Sequence, residues 1–146
     1  PDVDVFVAGL GTGGTLMGVG RRLKEHNSQI RVIAMAPHPD EIIHGLRSLE
    51  DGFIPPILDL NILSGRMIVR SREAFIATKE LMEKEGIFAG ISSGAVVSGA
   101  IKVAEGMDTG NVVALLADGG WKYLSTRLWT RNIDELAGEF GTKLWW

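Results

Sequence analysis

Four glycines fall within six residues, at Gly9, Gly11, Gly13 and Gly14, with Thr12 among them and Thr15 directly after. Ahead of them runs an apolar stretch, Val5-Phe6-Val7-Ala8, that reads as a buried strand. Behind them, Leu16, Val19, Gly20 and Leu23 recur at i, i+3, i+4 and i+7, the period of an amphipathic helix. Strand, glycine loop and helix form an arrangement suited to an anion. The leading amides of a helix have no partner within it, and the helix dipole places about half a positive charge there. Glycines let those amides approach a phosphate with no Cβ in the way. Thr12 and Thr15 add hydroxyl donors. Gly11, Thr12, Gly13, Gly14 and Thr15 are therefore read as a phosphate cup, the alternative being a tight turn between packed elements.

Two further loops have the same character. Ile87-Phe88-Ala89-Gly90-Ile91-Ser92-Ser93-Gly94-Ala95 carries an apolar segment through small residues into a helix reaching Gly106. Either serine there is a plain helix cap or a hydroxyl that meets a ligand at the strand ends, and the residues alone leave both open. Asn111–Ala117 is apolar after its first residue, which marks it as a central strand, and it ends in Asp118-Gly119-Gly120. In a parallel sheet, loops that follow strands share one edge, so these three should converge.

The phosphate's owner is a separate matter. Gly9-x-Gly11-x-x-Gly14 matches the dinucleotide fingerprint, but that fingerprint wants an acid about 20 residues on, at the end of the next strand, to hold a ribose. The next strand, Ile30–Ala36, runs into Pro37 and His38, and the first acid, Asp40, comes after two prolines. This weakens a nicotinamide-dependent oxidoreductase as the alternative. No Gly-Lys-Ser/Thr follows the glycines, so the ATP-type loop also fails.

The elements that must position these loops follow a strand–helix–strand alternation, the mark of a parallel α/β sheet. The first helix ends at Asn27 and Ser28. Pro37–Arg66 holds four of the five prolines and reads as a functional loop region, with a short helix expected at Ile42–Leu49. His38 and His44 lie there, with no neighbouring cysteine or regularly spaced acid to make a metal site. Met67–Arg70 is expected as a strand. Ser71 is expected to cap a helix through Glu85, with Ala74, Thr78, Leu81 and Met82 on one face, a Glu80–Lys84 pair, and Gly86 as its stop. Ile133–Phe140 is expected as a short helix. The chain has 146 residues, 45% hydrophobic and 23% charged, with net charge −3 and no cysteine. That balance gives no general attraction to nucleic acid or membrane, and the cytoplasm is the default location. A start on Pro1, with the first strand almost immediately after it, leads us to expect that the chain is part of a longer one.

Together these loops resemble the cysteine synthases, pyridoxal-phosphate enzymes of fold type II. The resemblance rests on Gly11-Thr12-Gly13-Gly14-Thr15, then Asp51-Gly52-Phe53-Ile54-Pro55, then Glu85–Ala95, then Lys122-Tyr123-Leu124-Ser125-Thr126, in that order. It covers the C-terminal half of such an enzyme. It implies a three-layer α/β sandwich on a mostly parallel sheet, with residues 1–126 as the cofactor-phosphate-binding domain and 127–146 as a C-terminal extension and tail. It implies that the glycine–threonine loop holds the phosphate of pyridoxal 5'-phosphate, that Ser92 meets the pyridine nitrogen, and that Ser93 is the helix cap. The Schiff-base lysine belongs to the family's N-terminal half, and Lys24, Lys79, Lys84, Lys102, Lys122 and Lys143 match no such motif. The resemblance further implies a small-molecule amino-acid substrate, a homodimer, and a sulfur-carrier protein as a candidate partner.

Gly45–Pro55, with Trp121-Lys122-Tyr123 and a tryptophan-bearing tail, is similar to the O-phosphoserine-using sulfhydrylases, where an arginine at the position of Arg47 receives the substrate phosphate. The alternative for Arg47 is a surface pair with Glu50 or Asp51. A relative commonly carries glutamate where Ala36 stands here. If the chain were a whole product, a non-catalytic binding module would be the competing reading.

Overall fold

A computed structural model describes residues 2–140. The tail tryptophans, Trp145 and Trp146, and Lys143 lie outside the described residues. Along the chain come β1 (Val5–Gly9), α1 (Gly14–His26), β2 (Arg31–Pro37), β3 (Gly65–Val69), α2 (Ser71–Glu85), α3 (Ile91–Glu105), β4 (Val112–Ala114), a 3-10 helix (Gly120–Thr126) and α4 (Ile133–Phe140). The four strands form one sheet in the order β3-β2-β1-β4, and every pairing is parallel.

Alternation along the strands builds the three layers. Val5 and Val7 of β1, with Ile33 and Met35 of β2, face a core that includes Phe75 of α2, Ile91, Ala95 and Val96 of α3, and Leu136 of α4. Their neighbours Phe6, Ala8, Val32, Ala34 and Ala36 face the other way, onto Leu16 and Met17 of α1. A strand with both faces covered reads as a continuous apolar run, which is why β1 and β2 were legible. Leu128, between the 3-10 helix and α4, is fully buried in the first of these cores. Helices α2 and α3 pack closely through Gly94. A Cβ there would strike the Thr78 hydroxyl and the Ala74 carbonyl, so only glycine allows this approach.

Four expectations are corrected. Asn111–Ala117 is not a central strand. Only Val112–Ala114 is regular, and it lies at the edge beside β1, with Val113 and Leu116 exposed. An apolar run marks the strand but not its place in the order. Ile87–Ala89 joins no parallel ladder. It forms an isolated antiparallel bridge, Ala89 to Gly119. Ile42–Leu49 is not a helix. Gly45 takes a left-handed conformation (φ 86°), and the Arg47 N–H leaves local bonding to donate to the Leu10 carbonyl at 2.7 Å. Neither expected serine cap forms. Arg70 and Gly90 hold the N-cap positions of α2 and α3, without side-chain caps. Ser93 is fully buried, and its hydroxyl has no hydrogen-bond partner among the described residues. Other expectations stand: Gly86 closes α2 in the left-handed region, Lys84 pairs with Glu80 at 2.9 Å, and α4 forms at Ile133–Phe140. Met82, however, is exposed.

In place of Ser71, the start of α2 is held by Glu41 from the loop after β2. One of its carboxylate oxygens accepts the Ser71 N–H; the other accepts from Arg70 at 2.7 Å. Burial pushes the Glu41 carboxyl up. The bonds from Ser71 and Arg70 outweigh that and leave it below its ordinary value of 4.5. A depressed carboxyl stabilises the fold above its unfolded-state pKa, and the contribution is lost as pH falls through the folded-state value. Glu41→Gln should therefore destabilise the protein by about 1 kcal/mol at neutral pH, as expected for losing a charged partner at a helix start. In denaturant titrations at a series of pH values, parent and variant should converge below pH 4.5. A gap that persists in acid would show that charge is not the cause.

Candidate functional site

β1 ends at Gly9, and the Leu10 N–H continues its pairing by donating to the Met35 carbonyl at 2.8 Å. From there the chain turns through Gly11–Gly13 into α1. Gly13 stands at the N-cap with φ 87°, in the left-handed region, and α1 has no side-chain cap. The first backbone bond of the helix is Met17 N–H to the Gly13 carbonyl at 2.9 Å. The amides of Gly14, Thr15 and Leu16 therefore have no acceptor among the described residues.

These residues line a cleft of about 440 Å³, and the sequence-derived candidates meet there. Its walls are Gly9 and Gly11–Thr15 from the β1–α1 turn, Gly45, Leu46 and Arg47 from the loop after β2, Ser92 and Val96 from α3, and Leu115 and Ala117 after β4. The walls fit closely. A Cβ at Gly9 would lie 2.5 Å from Leu46 Cδ2, and one at Gly11 would lie 3.0 Å from the Gly45 carbonyl oxygen. A Cβ at Gly45 would in turn lie 3.5 Å from the Ser92 side chain. Residues 45–47 thus form a strap over the first loop and the start of α3.

Ser92 is the second residue of α3, 6% exposed, and its hydroxyl has no hydrogen-bond partner among the described residues. Arg47 sits at the rim with its guanidinium carbon 5.0 Å from the centroid of the Phe53 ring. It makes no ion pair among the described residues. The surface pair expected as the alternative is not formed, because Glu50 is engaged elsewhere. Both of its oxygens accept from Arg66, and the Ser48 hydroxyl donates to it as well. Those bonds, Arg66 first, hold the Glu50 carboxyl down at about 2.

One feature beside the cleft was not singled out as functional. The 118–120 loop is clipped to the start of α3 by Gly90 N–H to the Asp118 carbonyl (2.9 Å) and Gly120 N–H to the Phe88 carbonyl (3.0 Å). Tyr123 donates its hydroxyl to Asp118 Oδ2 at 2.8 Å. Burial, then that bond and the carboxylate's charge, push the phenol up to about 12. Lys122 also pairs with Asp118, at 3.5 Å. Asp118 and Tyr123 lie five apart around two glycines, a spacing with no helical or strand period to flag it. No lysine among the described residues lines the cleft.

The donor set fits a phosphate on an aromatic cofactor. Orphaned amides at a helix start and two threonines offer donors for a dianion, and a nearly buried, unpartnered hydroxyl stands across the cleft. Comparison with known proteins agrees: residues 1–118 match the family described as pyridoxal-phosphate dependent enzyme. The chain belongs to that family. Within it, the cysteine synthase of Aquifex aeolicus is 42% identical over 130 residues, covering 86% of this chain and 40% of that protein. Cysteine synthase A of Escherichia coli is 40% identical over 143 residues, covering 86% of this chain and 44% of the relative. The crystal structure of O-ureido-L-serine synthase superposes with a TM-score of 0.79 at 35% identity, over 93% of this chain and 47% of that one. The cysteine synthase of Entamoeba histolytica gives 0.81 at 26% identity, over 98% and 46%. The chain thus spans less than half the length of these relatives. The family is pyridoxal-phosphate dependent, which sets aside the nicotinamide alternative.

In this chain Gly13 is the position where the left-handed turn and the cleft wall coincide. Gly13→Val would force a β-branched residue into the left-handed region, a backbone strain that arises although Leu58 and Ile57 lie only in ordinary contact, 3.4–3.5 Å from the site of the new Cβ. In the full-length protein the folded variant should lose pyridoxal phosphate on dialysis, read by its absorbance. Full retention would remove the phosphate from this loop.

Proposed function

We propose that this chain is the cofactor-phosphate-binding part of a cysteine synthase that performs β-replacement on O-phosphoserine. The observation that carries the reading is the position of Arg47. It stands at the rim of the same cleft as the orphaned α1 amides and the unpartnered Ser92 hydroxyl, and no carboxylate among the described residues neutralises it.

Pyridoxal phosphate, when bound, supplies an electron sink for bond changes at an amino acid's α- and β-carbons. The chain's own residues do the rest. In this reading the amides of Gly14, Thr15 and Leu16, with the Thr12 and Thr15 hydroxyls, hold the phosphate and fix the ring's position. Ser92 offers a neutral hydroxyl to the ring nitrogen. A carboxylate there would favour the protonated ring, whereas a hydroxyl leaves it largely unprotonated and so a milder sink, suited to elimination and replacement. Leu46, Val96 and Leu115 keep the cleft walls apolar, which strengthens each polar contact inside. Arg47 pairs with the substrate's leaving group. O-phosphoserine carries about two negative charges near neutral pH, and a guanidinium matches a phosphate through two parallel bonds. The Schiff-base lysine, a homodimeric assembly and a sulfur carrier remain parts of the reading that rest on the family resemblance.

A second reading, O-acetylserine as substrate, has support of its own, since another similar structure is that of O-acetyl serine sulfhydrylase isoform 3 from Entamoeba histolytica, with a TM-score of 0.78 at 26% identity. The two diverge at Arg47. In the full-length protein, Arg47→Ala should lower kcat/KM for O-phosphoserine by the equivalent of about 2 kcal/mol, the loss expected for a charge-assisted clamp, and change O-acetylserine turnover much less. Equal losses on both substrates would return the assignment to O-acetylserine. Ser92→Ala should lower kcat while most of the cofactor stays bound, because the phosphate loop still holds it. Loss of cofactor in step with activity would move Ser92 from the ring to the fold.

A further inference from the structure

Tyr123 lies beside the cleft without lining it, in contact with residues that adjoin two of its walls. Its hydroxyl donates to Asp118 Oδ2. The other oxygen of that carboxylate, Oδ1, is buried with no hydrogen-bond partner among the described residues and lies against Gly90, where a Cβ would collide with it. The same Cβ would come 2.6 Å from Tyr123 Cε2, so ring and carboxylate are pressed together onto the N-cap of α3. On its other side the Tyr123 ring meets His44 edge-on, with centroids 6.1 Å apart, and His44 immediately precedes the strap 45–47. Tyr123 is itself held from behind. Its carbonyl accepts from the Thr126 hydroxyl at 2.6 Å, that hydroxyl accepts the Leu128 N–H, and Leu128 is fully buried.

We propose that Tyr123 is a positioning residue: through Asp118 and Gly90 it fixes the first turn of α3, which carries Ser92, and through His44 it sets that turn against the strap that carries Arg47. The proposal rests on the reading of the cleft as a pyridoxal-phosphate site. Two hydroxyl-to-ligand and guanidinium-to-ligand contacts from separate loops need a common reference, because a small misplacement of either erodes a contact that geometry must hold to a fraction of an ångström. The first turn of α3 has no side-chain cap to steady it. The clip between 88–90 and 118–120 takes that place, and the Tyr123 hydroxyl is the only protein donor of a short hydrogen bond to the Asp118 carboxylate among the described residues.

The test uses the full-length protein with Tyr123→Phe, which keeps the ring and removes only the hydroxyl. Leu124→Ala, an exposed neighbour on the same 3-10 helix, is the control. Amide hydrogen exchange should quicken by about tenfold at Gly90, Ser93, Gly94 and Arg47 in Tyr123→Phe, the scale of losing one hydrogen bond to a charged group. The amides of β1 should not change, the melting temperature should hold, and Leu124→Ala should match the parent throughout. Cofactor content should stay at the parent's level while its absorption or fluorescence maximum shifts, a signature that a purely structural residue would not give. Unchanged exchange at those four amides would overturn the proposal. So would a uniform rise across the whole protein with a lowered melting temperature, since that marks a residue of the general core. If the cleft is not a cofactor site at all, the parent itself will retain no pyridoxal phosphate. The exchange result stands apart from that outcome.

Discussion

β1 is paired on both edges and buried on both faces, so the one place where it offers unsatisfied chemistry is its carboxyl end. The Leu10 amide donates into the sheet, and the amides from Met17 onward donate within α1. Between them lies a turn whose amides have nowhere to donate. Glycine at Gly11, Gly13 and Gly14 keeps that turn tight and bare, and the left-handed Gly13 points the chain into the helix. The rest of the structure surrounds this gap in hydrogen bonding. The α3 start brings a hydroxyl, the loop after β2 brings a guanidinium, and the loop after β4 secures both.

The fold was legible where the physics is local. β1, α1, β2, α2 and α3 follow from apolar periodicity and glycine punctuation, and their order alone implies the parallel sheet. The position of β4 was not legible. Three apolar residues look the same beside one strand or between two, and the neighbours that decide it are far along the chain. The caps misled for a related reason. Serines at 71 and 93 occupy favoured positions in sequence, but the group that meets the Ser71 amide comes from Glu41, thirty positions earlier, and Ser93 is turned into the core.

The site divides in the same way. The glycine–threonine loop could be read as a candidate anion site from residue types, because such a site depends on backbone that glycine exposes. The residues raised Ser92 and Ser93 alike, the resemblance chose Ser92 and brought in Arg47, and only the tertiary arrangement places Ser92 and Arg47 in one cleft. The Asp118–Tyr123 pair had no pattern to betray it. Its significance lies in what it presses against: Gly90 and His44 are ordinary residues until the fold brings them to one ring.

The loop after β2 is pinned at two points, by Glu41 at the start of α2 and by the Arg47 amide on the Leu10 carbonyl. Beyond Arg47 the chain leaves the cleft and runs outward through Phe53, Ile54 and Ile57, each about half exposed. The Arg47 pin fixes where the loop crosses the cleft without dictating which side chain residue 47 carries, since it uses main-chain groups on both sides, whereas the Glu41 pin depends on that residue's carboxylate. The side chain at residue 47 can therefore be exchanged at the cleft rim without breaking the bond that holds the strap to the glycine turn. A scaffold arranged in this way lets the lining of a cleft vary while the main chain that shapes it stays in place.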